Sequence, residues 1–231
     1  MAQGVFPVAL YLINYLISIR IREPRMSSDY FHFLNLIGVA FFAIAGTLLG
    51  YEKKVGGFGI VVVASVTALG GGSLRDLLLN QPVFWVADPT YLYSTYAATI
   101  TAIVFIRYLP HVSNYYFLLI DAIGMAIFNI VGIEKSLIEG TGMLIALTMG
   151  TTTGIFGGLI RDVICREVPS VMRSEMYASA CVSGGLAYAV LFQFGAPYLW
   201  CILGSLFTTV FIRMGALHWN WQLEFFKKRQ G

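Results

Sequence analysis

Seven long runs of apolar residues follow one another along the chain, separated by short charged or turn-forming stretches. Each run is close to the ~20 residues that an α-helix needs to cross the hydrocarbon core of a bilayer. The runs comprise residues 31–50, 57–79, 90–107, 115–133, 142–165, 175–194 and 197–214. The polar clusters between them, such as Glu52-Lys53-Lys54 and Glu134-Lys135, are typical of helix ends at a membrane surface. The pattern predicts an all-α membrane protein with seven transmembrane helices.

A further apolar run, residues 5–19, is too short for an ordinary span and is interrupted by Pro7. Basic residues follow this run, whereas a signal peptide carries them in front of its apolar region. We expect a peripheral helix within an N-terminal extension of residues 1–30. A short extra span and a translation start upstream of Met26 are the alternatives.

Composition supports the bilayer assignment. Hydrophobic residues make up 58% of the chain and charged residues 12%, against about 45–50% and about 25% in soluble domains. So little charge leaves too few polar groups to cover a water-soluble globule, so the lipid bilayer is the expected environment. No basic cluster interleaved with aromatic residues suggests nucleic acid, and isolated histidines and cysteines predict neither a metal site nor a cofactor.

Lysine and arginine predict the orientation, because they accumulate on the cytoplasmic side. If the N-terminus lies outside, the inner side receives Lys53, Lys54, Arg107, Arg166, Arg173, Arg213, Lys227, Lys228 and Arg229. The outer side then receives only Arg20, Arg22, Arg25 and Lys135. We therefore expect the N-terminus out, the C-terminus in, and a basic cytoplasmic tail over residues 215–231.

The chain contains an internal repeat with an offset of 86 residues. Residues 36–46 match residues 122–132 at six of eleven positions, and residues 67–76 match residues 153–162 at five of ten. Each copy holds three spans, and an odd number of spans inverts the second copy relative to the first. We expect repeats over residues 31–110 and 115–194, with the seventh helix, 197–214, outside the duplication.

Glycines interrupt the middle helix of each repeat, as Gly70-Gly71-Gly72 in the first and as Gly154, Gly157 and Gly158 in the second. Glycine within a helix costs about 1 kcal/mol relative to alanine, so these positions predict a kink or a break. A break would leave backbone carbonyl groups without their helical hydrogen bonds, and such groups can bind a dehydrated cation. Inside a membrane they are tolerated only where protein or water surrounds them. Close helix packing is the alternative explanation.

Charged pairs follow these glycines, Arg75-Asp76 in one repeat and Arg161-Asp162 in the other. Because neighbours on a helix point about 100° apart, we expect each arginine to pair with a group other than its adjacent aspartate. One such arrangement joins Arg75 to Asp162 across the repeats. The pairs suit gates at the two mouths of one pathway, or else anchors at the interface with snorkelling arginines.

Two further polar residues lie inside the fourth span. Asp121, whose repeat equivalent is Asn35, needs a cation, an arginine or a proton there. Asn129 lies about 80° away around the same helix, so it is either a polar lining atom or a bond between helices. The sequence has no ATP-binding, potassium-filter or hydrolase motif, and we expect no enzymatic activity.

Taken together, these motifs resemble the prokaryotic trimeric intracellular cation (TRIC) channel family, also known as bacterial glycine-transporter-domain membrane proteins. The resemblance covers about residues 31–215 and rests on the duplicated Gly-Gly…Arg-Asp signature. It implies a homotrimer in the bacterial inner membrane, with a potassium-permeable pore in each subunit beside the kinked second and fifth helices. In this chain the family pattern is altered at Asn35 and near Gly56, where we would expect acidic residues.

We therefore expect a passive channel for potassium or other monovalent cations. A secondary transporter of a small zwitterion such as glycine is the alternative, since half-helix ends serve both. A structural membrane protein is a third interpretation. The expected pathway residues are Gly70, Gly71, Gly72, Arg75, Asp76, Asp121, Asn129, Gly157, Gly158, Arg161 and Asp162.

Overall fold

The computed structural model describes residues 28–108, 114–173 and 175–219, and every regular element in these ranges is an α-helix. The helices are α1 (Ser28–Glu52), α2 (Gly57–Leu78), α3 (Phe84–Ala87), α4 (Thr90–Tyr108), α5 (Asn114–Ile138), α6 (Met143–Ile164), α7 (Ser170–Arg173), α8 (Glu175–Gln193) and α9 (Tyr198–Trp219). Six of them, α1, α2, α5, α6, α8 and α9, are long and apolar enough to cross a membrane, and α4 contains a shorter apolar segment. The expected seven-helix membrane fold is confirmed.

The structure differs from the predicted boundaries at two helix ends. Helix α5 continues to Ile138, so Glu134 and Lys135 lie within it and not in a connector. Helix α9 continues to Trp219, so the first part of the expected tail is helical. Both ends contain residues that pack inside the protein, and this packing extends the helices beyond their most apolar stretch. The expected peripheral helix at residues 5–19 and the rest of the tail lie outside the described residues.

The 86-residue offset also relates the helices. Shifted by 86, the bounds of α1, α2 and α3 coincide with those of α5, α6 and α7, and α4 falls within one residue of α8. The turns repeat as well: Lys54 and Asn80 adopt a left-handed conformation, as do their equivalents Gly140 and Arg166. Such residues end helices by turning the chain away from the axis. Helix α9 has no counterpart and packs against α5 and α8.

The centre of the fold is a crossing between equivalent helices. Helices α1 and α5 pack together, with Phe42 of one against Gly124 of the other and Phe128 against Gly38. The two phenylalanine rings lie 5.1 Å apart between their centroids. Helices α2 and α6 pack against each other and against this pair. The equivalent glycines Gly38 and Gly124 therefore lie at the contact between the two repeats.

Candidate functional site

The closest approach of the two repeats is a reciprocal contact between α2 and α6. A Cβ atom on Gly71 would fall far inside van der Waals contact of the Thr153 carbonyl oxygen, and one on Gly157 would do the same at the Thr67 carbonyl. The four residues are equivalent pairs under the repeat. Only glycine lets two helix backbones approach so closely, so the first glycine of each Gly-Gly pair is required by this crossing. A Cβ atom on Gly72 or Gly158 would instead meet Phe84 or Tyr177 of the same repeat.

Both helices pass through their glycines without interruption. Helix α2 is continuous from Gly57 to Leu78, and α6 from Met143 to Ile164. Of the expected kink or break, the break is therefore absent, and a kink stays a prediction. Glycine has a low helix propensity, but its lack of a side chain lets the neighbouring helix pack closely. The contacts with that helix compensate for the low propensity. The polar groups along α2 and α6 are therefore side chains and backbone carbonyl groups that are hydrogen-bonded within the helix.

The first buried ion pair joins two adjacent residues. The Nε and Nη2 atoms of Arg75 both lie 2.8 Å from Asp76 Oδ1, and both side chains are buried. The other oxygen, Oδ2, accepts a hydrogen bond of 2.9 Å from the backbone N–H of Phe84, where α3 begins. The expectation of a partner other than the adjacent aspartate was wrong for Arg75, because its long side chain reaches the carboxyl group of the next residue.

The second repeat holds a larger cluster. Arg161 makes the same contacts with Asp162, at 2.9 Å from Nε and 2.8 Å from Nη2. Its Nη1 atom also donates to Asp121 Oδ1 at 2.6 Å, and the Tyr177 hydroxyl donates to Asp121 Oδ2 at 3.2 Å. Asp162 Oδ2 accepts from the backbone and the hydroxyl of Ser170. Asp121 is thus an arginine partner, which was one of the alternatives.

Each arginine pairs within its own repeat, so the suggested bridge from Arg75 to Asp162 does not form. Asn129 is separate from the charged clusters. It is buried, and its Nδ2 atom donates to the Cys181 carbonyl of α8 at 2.8 Å. It therefore bonds two helices, as the packing alternative required. Among the expected residues, the structure unites Asp121 with Arg161 and Asp162, and Gly71 with Gly157.

A polar cavity of about 160 Å³, here called the vestibule, lies beside the second cluster. It is lined by Leu49, Glu52, Lys53, Phe117, Leu118, Asp162, Glu167, Ser170 and Arg173. The Phe117 ring lies over the Arg161 guanidinium, 4.8 Å from ring centroid to Cζ. The vestibule therefore connects the surface with the buried carboxylate of Asp162, and no sequence motif had indicated it.

An ionic bridge between the repeats borders the vestibule. Lys53, after α1, donates to Glu167, after α6, and Arg173 Nη2 lies 2.7 Å from the same carboxyl group. Hydrogen bonds from Lys53 and Arg173 lower the pKa of Glu167 below its usual 4.5, and the bond to Glu167 raises the pKa of Lys53 above its usual 10.5. Both groups are charged over the range between those values.

The opposite end carries the equivalent bridge with different chemistry. Gln81, after α2, donates to Glu139, after α5, at 2.7 Å. Under the 86-residue offset, Gln81 corresponds to Glu167 and Glu139 corresponds to Lys53. Each bridge thus joins one repeat to the other, but one is an ion pair and the other an amide–carboxylate bond. Lys135 lies 3.0 Å from Glu139 and supplies its counter-charge.

Two buried charged residues were missed by the sequence analysis. Glu134 accepts a hydrogen bond from the Tyr188 hydroxyl inside the protein. The Arg213 guanidinium stacks on the Tyr177 ring at 4.6 Å, and its Nε and Nη1 atoms make no hydrogen bond to the residues that the structure describes. Arg213 lies inside the seventh apolar run and Glu134 directly after the fourth, and a charged residue at such a position is seldom incidental in a membrane helix.

Comparison with known proteins gives consistent matches over most of the chain. A family model described as "Glycine transporter" matches residues 32–107 and again residues 118–193. A membrane protein of Vibrio cholerae is 38% identical over 205 residues, which cover 88% of this chain and 86% of that protein. The inner membrane protein YadS of Escherichia coli is 38% identical over 84% of this chain and 95% of its own length.

Solved structures share the fold. The TRIC trimeric intracellular cation channel orthologue from Rhodobacter sphaeroides superposes with a TM-score of 0.78 at 33% identity, over 84% of this chain and 100% of that one. A second structure, reported as the structural basis for conductance through TRIC cation channels, superposes with a TM-score of 0.73 at 29% identity. The match covers 86% of this chain and 96% of that one. The likeness extends over most of this chain in both cases.

Proposed function

This chain belongs to the glycine transporter family of membrane proteins, and we propose that it is a passive channel for monovalent cations, chiefly potassium. The observation that carries the proposal is the likeness to the Rhodobacter sphaeroides cation channel, which extends over the whole of that chain. The second matching structure was reported as the structural basis for conductance through TRIC cation channels. These matches favour a channel over a secondary transporter of a zwitterion such as glycine.

The proposed pathway follows the contact between α2 and α6 within one subunit. At one end it opens into the vestibule, where carboxyl groups of Glu52, Glu167 and Asp162 are among the lining groups. Carboxylate oxygens attract cations and replace part of their hydration shell, as acidic side chains do in other cation channels. The Lys53–Glu167 bridge lies at this mouth, so its opening would admit ions to Asp162.

Arg75 and Arg161 set the local charge without repelling cations outright. Each of these two arginines is neutralised by at least one aspartate at hydrogen-bond distance. In a low-dielectric interior such a pair presents a dipole to a passing ion in place of a full positive charge. The proposed pathway residues are Gly70, Gly71, Gly72, Arg75, Asp76, Asp121, Gly157, Gly158, Arg161 and Asp162.

The proposal includes a homotrimer in the bacterial inner membrane, with one pore in each subunit. It is supported by the trimeric channel of Rhodobacter sphaeroides and by the Escherichia coli relative, which is named an inner membrane protein. The excess of Lys and Arg on one side supports an outer N-terminus and an inner C-terminus.

Planar-bilayer recording of the purified protein in a potassium chloride gradient tests the function. We expect discrete current steps that reverse near the potassium equilibrium potential. A silent bilayer, with protein shown to be folded and inserted, would contradict the channel. Uptake of labelled glycine into liposomes would then test the transporter.

A further inference from the structure

Arg213 of α9 lies in the protein interior against an aromatic ring and not in an ion pair. The residue is 2% exposed, and its Cζ atom lies 4.6 Å from the centroid of the Tyr177 ring. No salt bridge within the described ranges involves Arg213. Burial of an unbalanced charge is costly, and a stacked ring recovers only part of that cost. The surroundings of Arg213 should therefore contain a compensating anion.

Tyr177 connects Arg213 to the carboxylate of Asp121. The face of the Tyr177 ring carries the Arg213 guanidinium, while its hydroxyl donates to Asp121 Oδ2 at 3.2 Å. Cys181, one turn further along α8 and also buried, lies within the electrostatic range of both Asp121 and Arg213. Helix α9 packs against α5 and α8, which carry Asp121 and Tyr177. A single tyrosine side chain thus separates the unpaired arginine from a carboxylate.

The buried charges at this end of the protein balance once Arg213 is included. Asp121, Arg161, Asp162 and Arg213, here called the four-charge cluster, are all buried. Arg161 binds both Asp121 and Asp162, so these three residues alone would carry one excess negative charge. With Arg213, two arginines face two aspartates. The excess charge of the ion-paired group is therefore matched by an arginine from the seventh helix.

The first repeat has neither of the two additional charges. Its buried ion pair, Arg75 with Asp76, is already balanced, and Asn35 occupies the position equivalent to Asp121. Helix α9 has no counterpart in the duplication, so the first repeat has no arginine equivalent to Arg213. The additional aspartate and the additional arginine thus occur together in one half of the protein, as expected if one compensates the other.

We propose that Arg213 is the counter-charge of Asp121 and thereby limits the preference of the vestibule for cations over anions. The inference rests on the proposed channel function. Asp162 belongs both to the four-charge cluster and to the lining of the vestibule, so an ion there experiences the net charge of the cluster. Loss of the Arg213 charge leaves two aspartates against one arginine, and this negative charge attracts cations to the mouth.

Thermal unfolding of the purified full-length protein tests the compensation without requiring ion flux. Arg213→Gln is measured in the wild-type protein and in Asp121→Asn. In the wild-type protein we expect the midpoint to fall by about 3–8 °C, because a buried negative charge loses its balance. In Asp121→Asn, where two arginines face one aspartate, the same substitution should raise the midpoint by about 2–5 °C. An arginine needed only for packing would lower both midpoints.

Two further variants control for other effects of the substitution. Arg166→Gln makes the same chemical change at an exposed turn residue after α6, and it should alter the midpoint little in either background. Arg213→Lys keeps the positive charge and should retain most of the wild-type midpoint. If Asp121→Asn is too unstable to measure, Arg213→Lys decides the question, because a loss equal to that of Arg213→Gln would overturn the compensation.

Reversal potentials in a potassium chloride gradient test the effect on selectivity. We expect Arg213→Gln to raise the ratio of potassium to chloride permeability about threefold at a salt concentration of about 0.1 M, and less at about 1 M, where charges are screened. Arg213→Lys should keep the wild-type ratio. The double variant Asp121→Asn/Arg213→Gln, in which the remaining pair is balanced, should also be close to the wild-type ratio.

The two parts of the proposal fail in different ways. A lower midpoint for Arg213→Gln in both backgrounds would overturn the compensation of Asp121. An unchanged permeability ratio in conducting Arg213→Gln would overturn its effect on selectivity. A silent wild-type protein would contradict the channel function itself, and the unfolding experiment would still decide whether Arg213 balances Asp121.

Discussion

At the scale of single residues, the molecule is organised by charges buried at equivalent positions of two repeats. Arg75 and Arg161 are both fully enclosed, and each binds the aspartate that follows it. Burial of an ion is tolerated only where its partners recover the cost of desolvation. The first repeat has the neutral Asn35 at the position where the second has Asp121, so the two repeats differ in buried charge at this position.

The ion pair of Asp121 with Arg161 should contribute strongly to folding. Replacing Asp121 with Asn leaves Arg161 with one carboxylate, and breaking a buried pair costs about 3–5 kcal/mol. We expect the free energy of unfolding to fall by an amount near the lower end of this range, since Asp162 remains. Reversible unfolding in mixed detergent measures the change.

The control for that substitution is Asp88→Asn, at a carboxylate whose side chain is 38% exposed. Asp88 accepts hydrogen bonds from the backbone and hydroxyl of Thr90, and the Oδ1 atom of an asparagine can accept the same bonds, so this substitution should leave the free energy of unfolding nearly unchanged. Equal losses from the two substitutions would contradict the special role of the buried pair.

At the scale of helices, the fold depends on where backbones approach without side chains between them. Gly71 and Gly157 contact carbonyl groups of the opposite helix. A Cβ atom on the neighbouring Gly70 would instead lie 3.2 Å from Cδ1 of Ile160, at the end of a flexible side chain. Adjacent glycines of one motif thus have different roles. The difference can be tested by the same substitution at two successive positions.

Gly71→Ala should push α2 and α6 apart, because its Cβ would meet the rigid Thr153 carbonyl. We expect a loss of about 1–3 kcal/mol in the free energy of unfolding, as for other overpacked cores, and a strong reduction of potassium flux in proteoliposomes. Gly70→Ala is the matched control. It should be neutral or stabilising, since alanine favours the helix and the Ile160 side chain can move.

If folded Gly71→Ala and the wild-type protein conduct potassium equally well, the helix crossing is not part of the ion pathway. A large loss of stability in Gly70→Ala would show that the triple glycine is needed throughout for packing.

The bridge between Lys53 and Glu167 predicts a pH dependence of stability. The lowered pKa of Glu167 means that its contribution is present above about pH 4.5 and is lost as the pH falls through the lower value in the folded protein. The raised pKa of Lys53 keeps the lysine charged to above pH 10.5. Lys53→Glu should therefore lower the thermal midpoint at neutral pH, and the difference from wild type should shrink as Glu167 is protonated.

Charge reversal provides the control for this bridge. The double variant Lys53→Glu/Glu167→Lys restores an opposite-charge pair, so it should recover part of the midpoint lost in Lys53→Glu. An additive loss in the double variant would show that the two residues do not interact in solution.

At the scale of the whole molecule, two inverted repeats and a seventh helix form one membrane unit. The repeats are joined at opposite ends by unlike bridges, Lys53–Glu167 and Gln81–Glu139. Only the first of these two is an ion pair, so salt should weaken it more than the second. The two repeats thus have equivalent helices, but the bridges at their two ends differ in charge.

Assembly and orientation follow from the proposed function. We expect light scattering of the purified protein, corrected for detergent, to give a mass three times the 25.5 kDa of one subunit. A C-terminal fusion to green fluorescent protein should fluoresce in bacteria and a C-terminal alkaline phosphatase fusion should be inactive, since the C-terminus is expected inside. A monomeric mass, or the reverse fusion pattern, would contradict these parts of the proposal.

The positions of the helices and the duplication of the chain are local features, and both could be predicted from the residues alone. Apolar runs of membrane-spanning length located all seven spans to within a few residues at most ends, because backbone groups in lipid can be satisfied only within helices. The 86-residue offset established the equivalence of α1–α4 with α5–α8. It also made Gly71 and Gly157 equivalent, although their close packing against the opposite helix was only the alternative explanation.

The partners of the buried polar groups, in contrast, became known only once the helices were packed together. Arg161 reaches Asp121 across 40 residues, Lys53 reaches Glu167 across the two repeats, and Glu134 proved to be an interior residue bound to Tyr188. The expected helix break was absent because packing at Gly71 and Gly157 compensates for their low propensity. Hydrophobic periodicity and composition are local properties, whereas a hydrogen-bond partner depends on which distant segments packing brings within about 3 Å.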